Sequence, residues 1–228
     1  MQAGTPRKKE SRNGAVMRLY MFEHCSLCFR VRMTAALKRL PLQETVVLDD
    51  DSGTMTDLVG RRQIPILVKD SGQPMLESMD MVSYIDGIGD PILVGCERTE
   101  IAERAESILS QAPSLTQPRY PLLRLPEFAT PAALEHYNLR KRKMLGDLAE
   151  LLANTRRYID ELMPDLEELG DLVESESAIN GRLSRDDVRV LPLLRSLAVV
   201  KELRFPKKVM DYFETMMKRT GYRPLPVV

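Results

Sequence analysis

The sequence predicts an α/β domain followed by an all-helical domain. Three observations carry this. Strand-like and helix-like patterns alternate as βαβαββα over residues 17–86. Residues 87–96 (GIGDPILVGC) hold three Gly and one Pro and read as a linker. From 97 to 228 the apolar spacing is helical almost throughout.

Residues 1–16 carry Arg7, Lys8, Lys9 and Arg12 among Gly4, Pro6, Asn13 and Gly14, which predicts a disordered basic tail with no role in the fold. Residues 18–22 (RLYMF) are apolar and aromatic, as a strand requires. Over 26–40, Val31, Leu37 and Leu40 recur at helical spacing between Arg30, Arg32, Lys38 and Arg39, and Pro41 closes that helix. Residues 43–48 (QETVVL) are β-branched and give a second strand. A short helix over 55–59 ends at Gly60, a third strand covers 64–69 and a fourth covers 74–76 after the turn at 70–72. Residues 78–86 read as a helix capped by Ser78. The alternating first half implies a parallel strand pair, and the ββ unit adds an antiparallel edge.

In the second half, Thr130 followed by Pro131 is a helix start. Tyr137, Met144, Leu145, Leu148, Leu151 and Leu152 fall on one stripe. Ile159, Leu162, Met163, Leu166 and Leu169 repeat it, with a kink expected at Pro164. Ser184 and Asp187 have capping-box spacing, and Leu183 and Val188 sit where a hydrophobic staple would. Residues 188–200 are apolar nearly all round, which predicts a buried helix. Residues 206–219 form a last amphipathic one.

Composition narrows the function. Lys plus Arg equals Asp plus Glu at 33 each, which argues against a nucleic-acid binder. No apolar run approaches the length of a membrane span, and the N-terminus lacks the apolar stretch of a secretory signal. Three cysteines do not make a disulfide framework, so a cytoplasmic, reducing setting is expected.

The chemistry gathers at His24-Cys25-Ser26-Leu27-Cys28, placed after a strand and opening a helix. A helix N-terminus offers free N–H groups and a partial positive charge, which stabilise a thiolate on Cys25. Arg30, Arg32, Arg61 and Arg62 are expected to add to that field. Cys28 lies one turn on, on the same face, so the pair can close and reopen a disulfide. A low pKa chiefly makes Cys25 a good leaving group, because its gain in thiolate is offset by lower intrinsic nucleophilicity. Zinc is the weaker reading: Cys96, His24 and His136 complete no recognised ligand spacing, and no metal is expected. Cys96 reads as an inert thiol. His24 reads as a packing or hydrogen-bonding residue rather than a base.

Taken together, these motifs resemble the glutaredoxin 2 family of large bacterial glutaredoxins, over nearly everything from Met17 onward. The matching stretches are 17–22 with His24 and Cys25, Val59-Gly60, Gln63-Ile64-Pro65-Ile66-Leu67 and Glu77-Ser78-Met79-Asp80. In the second half they are Thr130-Pro131-Ala132-Ala133, Asn180-Gly181, Leu183-Ser184, Asp186-Asp187 and Pro192-Leu193-Leu194-Arg195. The resemblance implies the glutathione-transferase architecture: a thioredoxin-like domain over 17–86 and an all-α domain over 97–228. It implies a glutathione-dependent thiol–disulfide oxidoreductase with Cys25 as nucleophile and Cys28 as its dithiol partner. Pro65 matches the family's cis-proline, which turns the Ile64 backbone toward the cysteinyl part of glutathione. Glu77 and Ser78 match the pair that holds the γ-glutamyl end. Glutathione is the implied co-substrate, and glutathionylated or disulfide-bonded proteins are the implied partners of a monomer that binds no nucleic acid or membrane. The family commonly has Pro and Tyr between the cysteines, where this chain has Ser26 and Leu27. Three other readings share parts of this pattern. They are a conjugating glutathione transferase, an iron–sulfur cluster-bridging glutaredoxin suggested by Ser26, and a membrane-inserting protein of the chloride intracellular channel type.

Overall fold

The computed structural model describes residues 16–228, so the predicted basic tail falls, except for Val16, outside the described residues. A four-stranded mixed sheet has the order β2-β1-β3-β4, built from β1 (Met17–Met21), β2 (Leu42–Val46), β3 (Ile66–Val68) and β4 (Pro74–Met75). β1 pairs parallel with β2, Met17 opposite Leu42. It pairs antiparallel with β3, Leu19 opposite Leu67, and β3 pairs antiparallel with β4. This is the parallel pair plus antiparallel edge that the sequence predicts.

Strand alternation sorts the side chains onto two faces. Met17, Leu19, Met21 and Leu67 pack with Val31 and Ala35 of α1 (Ser26–Leu37) and Met81 and Ile85 of α3 (Ser78–Asp86). Ile66, with Phe22, Val47 and partly buried Tyr20, covers the other face beside Met55 of α2 (Ser52–Val59).

Several boundaries move for local reasons. α1 ends three residues before the expected limit, because Arg39 turns left-handed (φ 54°) and Leu40 N–H returns to the Ala35 carbonyl. The turn is complete before Pro41 is reached. α2 starts earlier than expected because the Asp51 carboxylate accepts the Thr54 N–H at 2.9 Å. Ser78 is not a cap: Glu77 occupies the cap position, contributes no side-chain bond there, and Ser78 is the first helical residue.

The second half is all-helical: α4 (Thr99–Thr116), α5 (Pro131–Leu145), α6 (Leu148–Ala153), α7 (Thr155–Leu172), α8 (Arg185–Leu197) and α9 (Lys207–Thr220). Two 3-10 turns, Tyr120–Leu123 and Pro126–Phe128, join α4 to α5. α8 is the buried helix, packed on α4 and α9 and on α1 of the sheet unit. Its capping box is complete: Ser184 N–H donates to Asp187 Oδ2 at 2.8 Å. Val199 and Val200 are buried beyond its end, where Val199 pairs with the C-terminal Val228. The stripe expected from Tyr137 to Leu152 is not one helix. Gly146 (φ 88°) ends α5, Asp147 caps α6, and Met144 is left exposed. Pro164 lies inside α7, which continues unbroken to Leu172.

The two halves share one core, since Phe29 and Met33 of α1 and Val82 of α3 pack into the helical cluster. Gly95 meets the second half so closely that a Cβ there would sit 2.4 Å from the Arg182 carbonyl oxygen, which only glycine tolerates. Glu23 accepts from Arg32 at 2.9 Å and from Arg195 of α8 at 2.5 Å, tying the segment before the cysteines to the helical core.

Candidate active site

The chain leaves β1 through Phe22, Glu23 and His24 and enters α1 at Ser26. Cys25 is the N-cap, in extended conformation, and its Sγ accepts the Cys28 N–H at 3.4 Å. The Cys25 thiol pKa falls to about 6. The largest cause is a hydrogen bond from the Cys28 thiol. Burial opposes it, while the His24 charge and the N–H groups of Cys28 and Leu27 reinforce it. Cys28 is fully buried, and its pKa is pushed well above the ordinary thiol value, first by burial and then by bonding to Cys25. The two thiols therefore differ sharply: Cys25 is half-buried and ionised near neutrality, and Cys28 is buried and protonated.

His24 is a buried packing and bonding residue, as the sequence suggests. Its Nδ1 lies 2.5 Å from Glu127 Oε1, and its N–H donates to the same oxygen at 3.0 Å. The ring sits among Phe22, Tyr120, Phe128 and Tyr137. Burial works against the Glu127 carboxylate, but the bonds and charge of His24 outweigh it and hold its pKa below the usual glutamate value.

Cys25 opens onto a cleft of about 370 Å³ between the two halves. Ser26, Leu27, Arg62 and Ile64 line one side, and Leu109, Gln117, Tyr120, Arg140 and Lys141 the other. The Ile64–Pro65 peptide bond is cis. Gln63 Nε2 donates to the Leu76 carbonyl at 2.9 Å, which holds the Ile64–Pro65 loop beside Glu77 and Ser78 at the start of α3. Arg30 Nη1 reaches the Ser78 hydroxyl at 3.4 Å. Glu77 is exposed and Ser78 is buried.

The arginines divide into different jobs. Arg30 reaches Ser78, and the Cys25 charge acts on its guanidinium against burial and the repulsion of Arg189. Arg62 lines the cleft. Arg32 is buried, paired with Glu23 and Glu44 at 2.9 Å each, and lies over the Tyr222 ring; its charge acts on the Cys28 thiol, where it is a minor lowering influence. Arg61 is turned to Gln63, at 2.8 Å. Cys96 is an exposed free thiol, and His136 Nδ1 is bonded to Asp49 at 2.7 Å, so neither stands with the cysteine pair.

Sequence reasoning misses Glu127, Tyr120, Arg140, Lys141 and Asp49. Asp49 is fully buried in the loop after β2, and it accepts from Arg140 at 2.8 Å and lies 3.3 Å from Arg62. A Glu inside a prolyl 3-10 turn or a Lys in the run LRKRK carries no local signal of a cysteine pair about a hundred residues earlier in the chain.

The comparisons with known proteins agree with this geometry. Residues 100–226 match the family model for the glutaredoxin 2 C-terminal domain, and residues 24–88 match that for the glutathione S-transferase N-terminal domain. Glutaredoxin 2 of Escherichia coli (strain K12) is 39% identical over 205 residues, covering 90% of this chain and 95% of that protein. The crystal structure of glutaredoxin 2 from Salmonella typhimurium in complex with glutathione is 36% identical. It superposes with a TM-score of 0.89, covering 92% of this chain and 97% of that one. A glutathione transferase from Phanerochaete chrysosporium, 15% identical with a TM-score of 0.66, shares the fold over 91% of this chain and 98% of its own. On the identity and coverage of these relatives, and on a family model spanning more than half its length, this chain belongs to the glutaredoxin 2 family.

Proposed function

We propose that this chain is a glutathione-dependent thiol–disulfide oxidoreductase in which Cys25 is the nucleophile. The observation that carries this reading is the asymmetry of the cysteine pair, a half-exposed thiol with a pKa of about 6 backed by a buried, protonated one. At neutral pH about nine-tenths of Cys25 is thiolate, against roughly 3% for an unperturbed thiol.

The Cys25 thiolate attacks the glutathione sulfur of a mixed disulfide. A Cys25–glutathione disulfide forms, and the target leaves as a thiolate that takes a proton from water. A second glutathione thiolate then attacks the glutathione sulfur of that disulfide. Oxidised glutathione leaves with its two sulfurs joined, and Cys25 returns as thiolate. For a protein disulfide Cys28 takes the second part, closing Cys25–Cys28 once its proton is lost. The same N–H groups that lower the Cys25 pKa make it the better leaving group when the second glutathione attacks; in the dithiol route Cys28 attacks the Cys25 sulfur and the target departs as thiolate.

Ile64, Pro65, Glu77 and Ser78 are the proposed glutathione holders. The exposed Glu77 carboxylate suits the γ-glutamyl ammonium. The Ser78 hydroxyl, with the start of α3 and Arg30 behind it, suits the γ-glutamyl carboxylate. The Ile64 backbone suits strand-like pairing with the cysteinyl part. The glutathione complex of the Salmonella typhimurium glutaredoxin 2, alike over nearly the whole chain, supports this assignment. One chain supplies the whole cysteine and cleft arrangement, which supports action as a monomer. A thiol pair that must start reduced suits a cytoplasmic setting.

A glutathione-coupled assay on a glutathionylated peptide tests the reading. Wild type turns over, Cys25→Ser is inactive, and Cys28→Ser keeps mixed-disulfide reduction while losing protein-disulfide reduction. Activity surviving in Cys25→Ser contradicts it.

A further inference from the structure

The cleft carries more positive charge than its internal partner uses. Arg62, Arg140 and Lys141 all line it, and one buried carboxylate, Asp49, faces them. Arg62 and Arg140 are both engaged by Asp49, as is His136. Lys141 differs. Among the described residues it makes no ion pair, although it is half-buried in the α5 wall of the cleft. Its Nζ lies 5.4 Å from the centroid of the Tyr137 ring. Its pKa falls to about 8, first through burial and then through repulsion by Arg140, with Asp49 and Cys25 opposing. An ammonium held partly out of water with no carboxylate in direct contact is a group that an incoming carboxylate stabilises.

The reaction cycle strengthens this. While Cys25 is a thiolate it offsets part of the cationic surplus. Once Cys25 enters a disulfide that negative charge is gone, and the surplus of the cleft is greatest. Lys is a compact point charge on a flexible stem, so it reads charge without demanding one carboxylate geometry.

We propose that Lys141 is a specificity-determining residue that makes the cleft favour disulfides flanked by acidic peptide residues. The proposal rests on the oxidoreductase reading above and names the substrate class of that site. Glutathione carries carboxylates too. The residues proposed to hold glutathione lie on the sheet side of the cleft, whereas Lys141 comes from α5 across it, so the target's carboxylates are assigned to Lys141.

The test uses two glutathionylated peptides that differ only in having Glu or Gln on either side of the modified cysteine. Wild type is expected to reduce the Glu peptide with a kcat/KM about fivefold higher, the upper end of what one solvent-accessible charge pair supplies. Lys141→Met is expected to bring that ratio to within about twofold, and Lys141→Arg to restore most of it. A wild-type ratio near one, or the same ratio in wild type and Lys141→Met, overturns the proposal. So does a Lys141→Met loss that falls on the KM for glutathione and leaves the peptide ratio untouched, since the lysine would then serve glutathione. If wild type reduces neither peptide, the oxidoreductase reading itself fails, which the Cys25→Ser comparison identifies separately.

Discussion

Glu127 Oε1 sits 2.5 Å from His24 Nδ1 and also takes the His24 backbone N–H, across 103 residues of sequence. One oxygen from the helical half thus fixes both the ring and the backbone of the residue that precedes the nucleophile. The ring so held contributes a charge that lowers the Cys25 pKa.

Removing that carboxylate has a structural and a pH-dependent consequence. Glu127→Ala leaves two buried His24 donors unpaired and should cost about 1–3 kcal/mol, read as a shift in denaturant midpoint. The Glu127 pKa is lowered in the folded state, so its contribution to stability is present above the unfolded glutamate value and is lost as pH falls through the lower folded one. Wild type should therefore lose stability on acidification through and below pH 4–5 more steeply than Glu127→Gln. Parallel curves for the two proteins contradict this.

Ser78 offers a clean separation of binding from folding. It is the first residue of α3 and not its cap, and its hydroxyl meets Arg30 at 3.4 Å. Ser78→Ala should therefore leave the melting temperature within a degree or two while raising the KM for glutathione several-fold. Glu77→Ala, at an exposed position with no capping bond, should behave alike. A large drop in melting temperature with unchanged glutathione kinetics contradicts the assignment.

The capping box of α8 should be felt in proportion to what each member holds. Ser184→Ala removes one cap and should cost about 0.5–2 kcal/mol. Asp187→Ala should cost more, about 3 kcal/mol or above. Its carboxylate also accepts from Ile179 N–H at 2.8 Å and from the Tyr212 hydroxyl at 3.0 Å, all of it buried. Leu194→Lys, at a fully buried position, should yield insoluble protein. Equal effects of Ser184→Ala and Asp187→Ala in denaturant unfolding would show that Asp187 serves the cap alone.

What the sequence discloses follows from how local each signal is. The thiol pair, the βαβαββα order and the α8 capping box are legible because strand alternation, helix periodicity and cap spacing act within about ten residues. The end of α1 is misread because a left-handed Arg39 carries no glycine signal. The continuous stripe through Tyr137 and Leu152 is misread because Leu spacing stays in phase across Gly146 and Asp147, where the chain in fact turns. Ser78 is misread as a cap because the helix begins one residue sooner. Arg32 reads from its spacing as a free cation beside the cysteines, yet Glu23 and Glu44 pair it in the core between the halves, so only a small part of its charge is felt at Cys28. Glu127, Asp49 and Lys141 acquire meaning only when the second half folds against the first, and no local pattern anticipates that contact.

The central claim is that Cys25 is the low-pKa nucleophile and Cys28 its protonated partner. It is tested most directly by following the alkylation rate of each cysteine against pH, with the labelled peptides identified by mass spectrometry. Cys25 is predicted to be labelled first, with a rate profile that inflects at about pH 6, while Cys28 resists labelling throughout the neutral range. An inflection for Cys25 in the ordinary thiol range, or first labelling at Cys28 or Cys96 in mildly acidic solution, would contradict it.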